Sequence, residues 1–574
     1  MLKKHWILLL NLFIFILLLT RNPFSTRTLI PNFEPYPDSI HYIVPARSVA
    51  QGGEFAIVRE GRPIKPSVPF LYSAVLVPLF IINNDPRVFY FTNILLSLGG
   101  LILLYAIIKK ILTPARSLTA NDHRPTTNDI ILFISLFLYV TNYFIYWYPS
   151  LAMAENLTLF LFLLNLYVIT LPLNKVSIIF AGIIPFCFFL TKYANVPLIA
   201  TFLLVFGIKL LFDENISNTK KNNKLKTYVL LFGGSVFASL LIMIFTESLP
   251  GLDTLVTRFG NFLPQATAKA STTSGGGWFS AQYMSKYLPI YIRAMLGGYS
   301  VRFLWDTTPI WPLYIATPGL IGLIFGMFVK KTRLLSSTLI LSLFLSIVFM
   351  SAFYSIDMRY LYFAIPALLI GFVMFWRLII GGLDSRLRGN GTKKRRSKLL
   401  LIFLLILLFL FYLVTNGIRL KKQIMLNLKY AETPWYYLSV LKLNEYFKNY
   451  PKNKKEPVVI SAMIPYLIDF YSNGEYSLLP MSGNQEFRNQ KQEAWGEFDY
   501  SDLIMLYTKI LYSGHEIYVH NYGIGNEKPL QEDFQKIKDN FILTKVADGC
   551  FDACNIWQLK IKYPLKRKED MVVK

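Results

Sequence analysis

The sequence predicts a polytopic all-α membrane protein with a small soluble α/β domain at its C-terminal end. Two observations lead to this fold class. The first is composition: the chain has 574 residues, of which 54% are hydrophobic and only 16% charged, whereas soluble domains are usually about a quarter charged. The second is the grouping of the apolar residues into runs of roughly 17–25 residues, the length that crosses a bilayer as a helix.

Eleven such runs predict about 11 transmembrane helices. The first run follows two lysines and is either a membrane anchor or a signal peptide; no small-residue cleavage site follows it, which favours the anchor. The segment 67–82 is apolar but contains Pro69 and Pro78, so a re-entrant or interfacial helix suits it better than a full span. The eleven runs lie at 5–20, 87–108, 130–148, 156–171, 177–191, 194–212, 227–246, 310–329, 334–353, 359–379 and 399–416.

The distribution of positive charge predicts the orientation. The formal net charge is +25, and the basic residues concentrate in short loops such as KKRRSK at Lys393–Lys398. Strict alternation places these loops and the N-terminus on one face, which the positive-inside rule makes cytoplasmic. We therefore expect a multi-pass protein of the plasma (inner) membrane with membrane lipids around it. No basic surface is separable from the spans, so no nucleic acid is expected as a partner.

The opposite, extracytoplasmic face receives the segments that are too long or too polar to be simple connectors. Residues 1–416 are predicted to form a transmembrane catalytic domain, with 31–86 as its first outer loop and 247–309 as a second. In the second loop, the glycines of SGGGWFS indicate either a lid or an ordinary flexible tip. Residues 417–574 are predicted to form the small α/β domain, because EPVVIS, HEIYVHNY and CNIWQLKI are typical of strands.

Cysteine and histidine usage indicates no metal centre. Cys550 and Cys554 lie four residues apart in the outer domain and form either a disulfide or two free thiols. No cluster of cysteines and histidines has the spacing of a structural metal site. No cofactor is therefore expected, and no residue pattern supports a divalent metal ion.

The first outer loop carries an unusual density of functional groups. Pro31–Tyr72 contains four acids, one histidine and three tyrosines, and loops held by a rigid scaffold are where chemistry concentrates. Asp38 is a candidate general base. It precedes SIHYIVPARSVA and so also suits a helix N-cap, a role that is compatible with catalysis. His41 and Tyr42 follow it directly and are candidate substrate-binding residues.

A second carboxylate opens the fourth apolar run in the motif PSLAMAENLTLF. A charge at the start of an apolar helix is costly unless it is paired or functional, which makes Glu155 a candidate catalytic residue. The alternative is a helix-terminal charge in the headgroup region. Because Glu155 shares the outer face with Asp38, the two are expected to converge on one acceptor.

Several cations lie on the outer face against the positive-inside rule. They are either snorkelling side chains or ligands of a lipid phosphate, to which arginine offers bidentate geometry and lysine a point charge. The second interpretation is favoured for Lys65 in IKPSVPF and for Arg359 in DMRYLYFAIP, because both lie inside compact motifs. The full set is Lys65, Lys192, Arg258, Arg293, Arg302 and Arg359.

The order of an N-terminal span, DSIHY, ARSVAQGGEF and IKPSVPF resembles the first outer loop of GT-C membrane glycosyltransferases, in particular the protein O-mannosyltransferase and aminoarabinose transferase group. Ala154-Glu155-Asn156 and DMRYLYFAIP are also similar to that group, so the resemblance covers most of residues 1–380. There is one departure. Many members have an acid directly after the catalytic aspartate, whereas this chain has Ser39, which argues against a metal site there and against the eukaryotic protein mannosyltransferases.

The resemblance implies a reaction and roles for the residues. Asp38 would activate the acceptor hydroxyl, Glu155 would be the second acid, and Lys65 and Arg359 would contact and neutralise the lipid phosphate. The implied reaction is inverting transfer of a sugar from a polyprenyl-phosphate donor to an extracytoplasmic acceptor, which is a glycan, a lipid or a protein hydroxyl. The absence of a Rossmann glycine fingerprint and of a P-loop agrees with a lipid-linked donor.

Two other classes of function compete with an enzyme. A multispan transporter or lipid flippase would require charged or broken helices near mid-membrane and related halves, neither of which is visible in the sequence. A noncatalytic membrane-anchored assembly protein would leave the acids of the first outer loop unexplained.

Overall fold

The computed structural model forms two compact units, which are described separately. The first comprises Met1–Thr26, Pro66–Ala270 and Gly276–Leu428, and the second comprises Arg27–Lys65, Ser271–Gly275 and Lys429–Lys574. The structure describes residues 5–20, 38–59, 62–64, 68–84, 88–113, 127–212, 218–245, 279–297, 309–353, 358–386, 391–432, 442–461, 476–480, 503–521, 524, 528–548 and 555–562.

The first unit is a bundle of helices, and each of the eleven predicted apolar runs coincides with helix. The helices are numbered along the chain, and α2 (Asp38–Ala50) belongs to the second unit. The others are α1 (Trp6–Thr20), α3 (Leu71–Ile82), α4 (Val88–Leu112), α5 (Thr127–Val140), α6 (Tyr143–Trp147), α7 (Glu155–Thr170), α8 (Lys175–Thr191), α9 (Val196–Leu211), α10 (Asn218–Phe245), α11 (Ala281–Met295), α12 (Leu313–Gly326), α13 (Arg333–Ser351), α14 (Ala364–Arg386) and α15 (Gly391–Glu432).

The chain is a multi-pass membrane protein, but the predicted number of spans is not confirmed. Five helices of the described part are long and apolar enough to cross a bilayer, or six if the bent pair α5–α6 forms one span. Helices α1, α3, α7, α8 and α12 are apolar but shorter, at 10–17 residues. The last predicted run, 399–416, lies inside α15, which continues to Glu432.

The prediction of one continuous helix at 130–148 is wrong. Helices α5 and α6 are bent by 54° across a short break, where Asn142 adopts extended backbone and its side chain accepts hydrogen bonds from the backbone N–H groups of Phe144 and Ile145 at 3.0 and 3.4 Å. The asparagine side-chain oxygen thus accepts from two N–H groups that a new helix start leaves unpaired. The sequence interpretation that no span is broken is corrected accordingly.

A very close contact between two helices of the bundle joins α12 and α14 through glycines. A side chain on Gly322 would overlap the carbonyl oxygen of Gly371, and one on Gly371 would overlap that of Gly319. Small residues allow helix backbones to approach closely in a membrane, where packing rather than the hydrophobic effect drives association. These glycines therefore set the spacing of the two helices.

The second unit contains α2, a two-stranded hairpin and an α/β domain. In the hairpin, β1 (Ile57–Arg59) pairs antiparallel with β2 (Arg62–Ile64). The domain has a five-stranded sheet in the order β4-β3-β5-β7-β6; β3 is parallel to β4 and β5, whereas β7 is antiparallel to β5 and β6. Its elements are β3 (Val458–Ser461), β4 (Ser477–Pro480), α16 (Leu503–Tyr512), β5 (Ile517–His520), α17 (Lys528–Asn540), β6 (Phe541–Ala547) and β7 (Ile556–Ile561).

Alternate residues of the sheet fill two cores, as the period of a strand requires. Val458 and Ile460 of β3 pack with α16 and α17 on one face. Val459 packs on the other face with Leu443 and Phe447, which lie in a helical turn at 442–447. The three strands predicted from EPVVIS, HEIYVHNY and CNIWQLKI are all present, as β3, β5 and β7.

We expect Gly371→Ala to destabilise the bundle, because the added methyl group has no space between α12 and α14 and overpacking of this kind costs about 1–3 kcal/mol. Gly234→Ala is the matched control: Gly234 lies in α10 with open space around it, where alanine stabilises a helix relative to glycine. The thermal midpoint of the full chain in detergent should fall for Gly371→Ala only. Equal midpoints in the two variants would contradict the close packing.

Stability of the α/β domain should depend on pH through His520. Burial lowers the pKa of this histidine from 6.5 to about 3, so below pH 6.5 the unfolded chain binds a proton that the folded domain does not. The free energy of unfolding should therefore fall by about 1.4 kcal/mol per pH unit from this group as the pH drops from roughly 6 towards 3.

The measurement compares melting midpoints between pH 7.5 and 5 in the wild type and in His520→Gln. The wild type should lose more stability on acidification than the variant. His515→Gln, which removes an imidazole outside the buried core, is the control for loss of a histidine. Parallel pH profiles for wild type and His520→Gln would show that His520 does not remain neutral in the fold.

Candidate functional site in the membrane bundle

The polypeptide between α6 and α7 is a buried, irregular connection. Tyr148–Ser150 form a 3-10 turn around Pro149, and every residue from Tyr148 to Glu155 is buried. Buried carbonyl groups that leave a helix need donors from elsewhere. Side-chain amides supply them, since Asn93 of α4 donates to the carbonyl oxygens of Pro149 and Leu151 at 3.2 and 2.8 Å.

The two amides of this region are themselves held in place. The Asn93 side chain accepts a hydrogen bond from the Tyr72 hydroxyl of α3 at 2.9 Å. On the other side of the connection, the side chain of Asn156 donates to the carbonyl oxygen of Tyr148 at 2.9 Å. The position at which α7 begins is therefore determined by contacts from α3, α4 and α7 itself.

Glu155 is the first residue of α7 and forms a buried ion pair. Its Oε1 lies 2.5 Å from Nζ of Lys192, and the two side chains are 3% and 14% exposed. Lys192 ends α8 in an extended conformation, which turns its side chain out of the helical register. Removing either charge would leave the other buried without a partner, which costs about 3–5 kcal/mol.

The second carboxylate oxygen of Glu155 is not used by the fold. Oε2 is buried and has no hydrogen-bond partner among the residues that the structure describes. A buried acceptor left unsatisfied costs about 1–3 kcal/mol. The lysine therefore holds one oxygen of the carboxylate and leaves the other able to accept a hydrogen bond from a ligand.

Aromatic rings and a second cation surround this pair. The ring of Tyr360, in the turn Met358–Leu361, lies 4.7 Å from Nζ of Lys192 and 5.9 Å from the guanidinium carbon of Arg359. Arg359 also contacts the sulfur of Met153 at 3.4 Å. Two cations thus lie beside one ring, and one of them, Lys192, is paired with the Glu155 carboxylate.

Two tyrosines contact the connection that leads to the carboxylate, Tyr362 directly and Tyr72 through Asn93. Tyr362 packs on Tyr148 with ring centroids 4.3 Å apart, and Tyr72 is the donor to Asn93. The site therefore has a polar centre with aromatic walls, a combination that suits a ligand with hydroxyl groups and apolar faces.

The structure brings together three of the predicted residues, Glu155, Lys192 and Arg359. Asp38 is the first residue of α2 in the second unit; its side chain lies outside the described residues, so its capping and catalytic roles stay predictions. His41 and Tyr42 are buried in the same helix. The predicted convergence of Asp38 and Glu155 stays a prediction.

The remaining predicted cations are not part of this cluster as described. Arg293 is exposed in the last turn of α11. Lys65, Arg258 and Arg302 lie outside the described residues, as do Cys550, Cys554 and the glycine triplet of the predicted lid.

Three residues of the candidate site were not predicted from the sequence: Tyr72, Asn93 and Tyr360. Tyr360 could have been found, since it sits inside the motif DMRYLYFAIP beside Arg359. Asn93 had a weaker signal, a polar amide in the middle of an apolar run, which in a membrane calls for a partner. Among the described residues, no group of three or more histidine, cysteine and acidic side chains could hold a metal ion.

The chain shares its fold with a solved structure. It matches the crystal structure of ArnT from Cupriavidus metallidurans bound to undecaprenyl phosphate with a TM-score of 0.57 and 11% sequence identity, over 96% of this chain and 97% of that chain. The crystal structure of the same protein in the apo state aligns with a TM-score of 0.49 and 12% identity over 91% and 93% of the two chains.

The resemblance to the aminoarabinose transferase group, drawn from the sequence motifs, is thus confirmed at the level of the fold. No protein-family model matches the sequence, and no curated protein matches it significantly.

We expect Lys192→Met to destabilise the bundle by about 3–5 kcal/mol, because it leaves the Glu155 carboxylate buried without a counter-charge. The double variant Lys192→Met/Glu155→Gln should recover most of that loss. Thermal midpoints of the full chain in detergent for both single variants and the double variant measure the coupling.

Lys442→Met is the control, since it breaks the exposed ion pair with Glu445 and should have a negligible effect. Additive losses in the Lys192→Met/Glu155→Gln double variant would show that the two buried residues do not depend on each other.

Proposed function

We propose that the chain is a membrane glycosyltransferase that moves a sugar from a polyprenyl-phosphate donor to an extracytoplasmic acceptor. The observation that carries the proposal is the Glu155 carboxylate, with Oε1 held by Lys192 and Oε2 buried without a partner in the described structure. The fold supports it, because the similar structure of ArnT contains bound undecaprenyl phosphate.

The reaction needs a base and neutralisation of charge. Asp38 takes the proton of the acceptor hydroxyl as the oxygen of that hydroxyl attacks the anomeric carbon of the donor sugar. The bond from that carbon to the phosphate oxygen breaks, and the polyprenyl phosphate leaves with the electron pair. Direct displacement of this kind inverts the anomeric configuration. A phosphate is a good leaving group once cations stabilise its charge.

Glu155 and Lys192 have complementary parts in this scheme. Oε2 of Glu155 accepts a hydrogen bond from a hydroxyl or amine group of the sugar and so orients it. Lys192 gives one donor to Oε1, and an ammonium group has three, so it can also contact the phosphate. Arg359 and Lys65 neutralise the negative charge of the leaving phosphate. Arg293 and Arg302 are proposed as further phosphate or substrate contacts.

The proposal includes a topology and a division into domains. About 11 spans cross the inner membrane, with the N-terminus cytoplasmic and with residues 31–86, 247–309 and 417–574 outside. The acceptor then approaches from the extracytoplasmic side, and the lipid donor approaches from within the bilayer. The basic loops and the positive-inside rule support this arrangement.

The broken span favours one alternative, a transporter or lipid flippase. Transporters place polar groups near helix breaks in the membrane, and the 54° bend between α5 and α6 precedes the buried ion pair along the chain. A flippase would move a polyprenyl-linked sugar without cleaving it. Release of sugar from the lipid therefore separates the two functions.

The test is release of sugar from a set of polyprenyl-phosphate sugars by purified protein in detergent. The wild type should turn over at least one donor, and Asp38→Asn should lose roughly 10²–10⁴-fold of that rate, as expected for a general base. Glu155→Gln should lower kcat/KM when it is assayed at a temperature at which melting curves show the variant to be folded. Glu445→Gln, which removes an exposed carboxylate that is also paired with a lysine, should leave the rate unchanged.

Each of the other outcomes would support a different catalytic base or a different function. Equal rates for wild type and Asp38→Asn would remove Asp38 as the base and leave Glu155 as the candidate. Transfer of intact lipid across a vesicle bilayer without release of sugar would support the flippase. Binding of neither donor nor lipid would favour a noncatalytic assembly role.

A further inference from the structure

An open pocket lies at the opposite end of α7 from Glu155. Its volume is about 430 Å³, and its lining includes Tyr105, Lys109, Lys110, Thr113, Tyr167 and Lys331; it is called here the lysine cavity. Helix α7 begins at Glu155 and ends at Thr170, which bonds to Lys110. A helix of 16 residues is about 24 Å long, so the cavity is separate from the proposed sugar site.

The charge of the lysine cavity is uncompensated. Lys109 donates to the Tyr105 hydroxyl at 2.8 Å, Lys110 to the Thr170 hydroxyl at 3.1 Å, and Lys331 to the carbonyl oxygen of Ile111 at 3.3 Å. All of these acceptors are neutral. No described carboxylate forms an ion pair with any of the three lysines, so three positive charges line one open volume.

Capping of helix ends does not by itself explain the cluster. Lysines are favourable near helix C-termini because they neutralise exposed carbonyl groups. Lys110 and Lys331 do contact carbonyl oxygens at helix ends, namely those of Thr170, Ile111 and Thr113, as Lys209 and Lys224 do outside the cavity. Lys109 instead donates to the Tyr105 hydroxyl, and all three lysines converge on one open volume from α4 and from the turn before α13, although like charges repel each other.

Aromatic rings hold two of these side chains in place. Nζ of Lys109 lies 5.1 Å from the ring centroid of Tyr105, and Nζ of Lys110 lies 4.5 Å from that of Tyr167. Each ammonium group has three N–H donors, and the contacts above use only part of them. The remaining donors are available to an anion with several acceptor oxygens.

An apolar strip leads along α4 to the cavity. Leu95 and Ile102 are 63% and 46% exposed, and Ala106 and Lys109 follow at spacings of four and three residues. Residues at these intervals share one face of a helix. Exposed apolar side chains that end at lysines on a membrane helix suit an acyl chain with a negatively charged headgroup, and do not suit a soluble anion.

We propose that the lysine cavity binds the phosphate headgroup of an anionic membrane phospholipid, whose acyl chain lies on the Leu95–Ile102 face of α4. The positive-inside rule places this end of the bundle at the cytoplasmic leaflet, where the anionic lipids that attract basic residues are found. The site is independent of the proposed transferase reaction and goes beyond it.

The test is native mass spectrometry of the full chain, delipidated in detergent and titrated with phosphatidylglycerol or with phosphatidylcholine. The wild type should bind phosphatidylglycerol in preference, and rising salt should weaken that binding. Lys109→Gln/Lys110→Gln should lose on the order of 30-fold in affinity, since each lysine near a headgroup strengthens the binding of an anionic lipid about fivefold. Lys109→Arg/Lys110→Arg keeps the charge and should retain binding.

Lys226→Gln is the matched control, because this lysine is exposed on the same predicted face but does not line the cavity; it should bind like the wild type. Unchanged affinity in the Lys109→Gln/Lys110→Gln variant, or an equal loss in Lys226→Gln, would overturn the proposal. Competition by soluble glycerol phosphate at lipid-like concentrations would overturn it as well, because the site would then recognise a free phosphate. Melting curves establish that each variant is folded.

Discussion

The buried contact between Glu155 and Lys192 is the interaction on which the centre of the bundle depends. It joins the start of α7 to the end of α8, and through the ring of Tyr360 it reaches the turn before α14. A buried ion pair is a weak source of stability, because desolvation offsets most of the attraction between the charges. The ion pair is better explained by its effect on the Glu155 carboxylate: Lys192 fixes the position of this group and leaves one of its oxygens able to accept a hydrogen bond.

The irregular connection before α7 follows from the same constraint. Polar groups inside a membrane protein must find partners within the protein. Asn93, Asn142 and Asn156 supply those partners at the break between helices, so the chain can turn sharply without exposing its backbone to lipid.

Much of this fold could be predicted from the sequence, because hydrophobic runs and alternating strands are local patterns. The eleven helical runs, the start of a helix at Glu155 and three strands of the outer domain all come from such patterns. The break at Asn142 and the pairing of Glu155 with Lys192 could not be predicted in this way. Each depends on which residues meet after folding, and the paired charges are 37 positions apart.

The glycine contact between α12 and α14 has a mechanical consequence. Helices whose backbones touch over several turns cannot slide or tilt past one another without a clash, so this pair moves as one rigid body. Any opening that admits a bulky lipid must then take place between other helices of the bundle. An opening at the sharply bent pair α5–α6 would have to break the hydrogen bonds that hold its joint, which come from the amide side chains of Asn142 and Asn416.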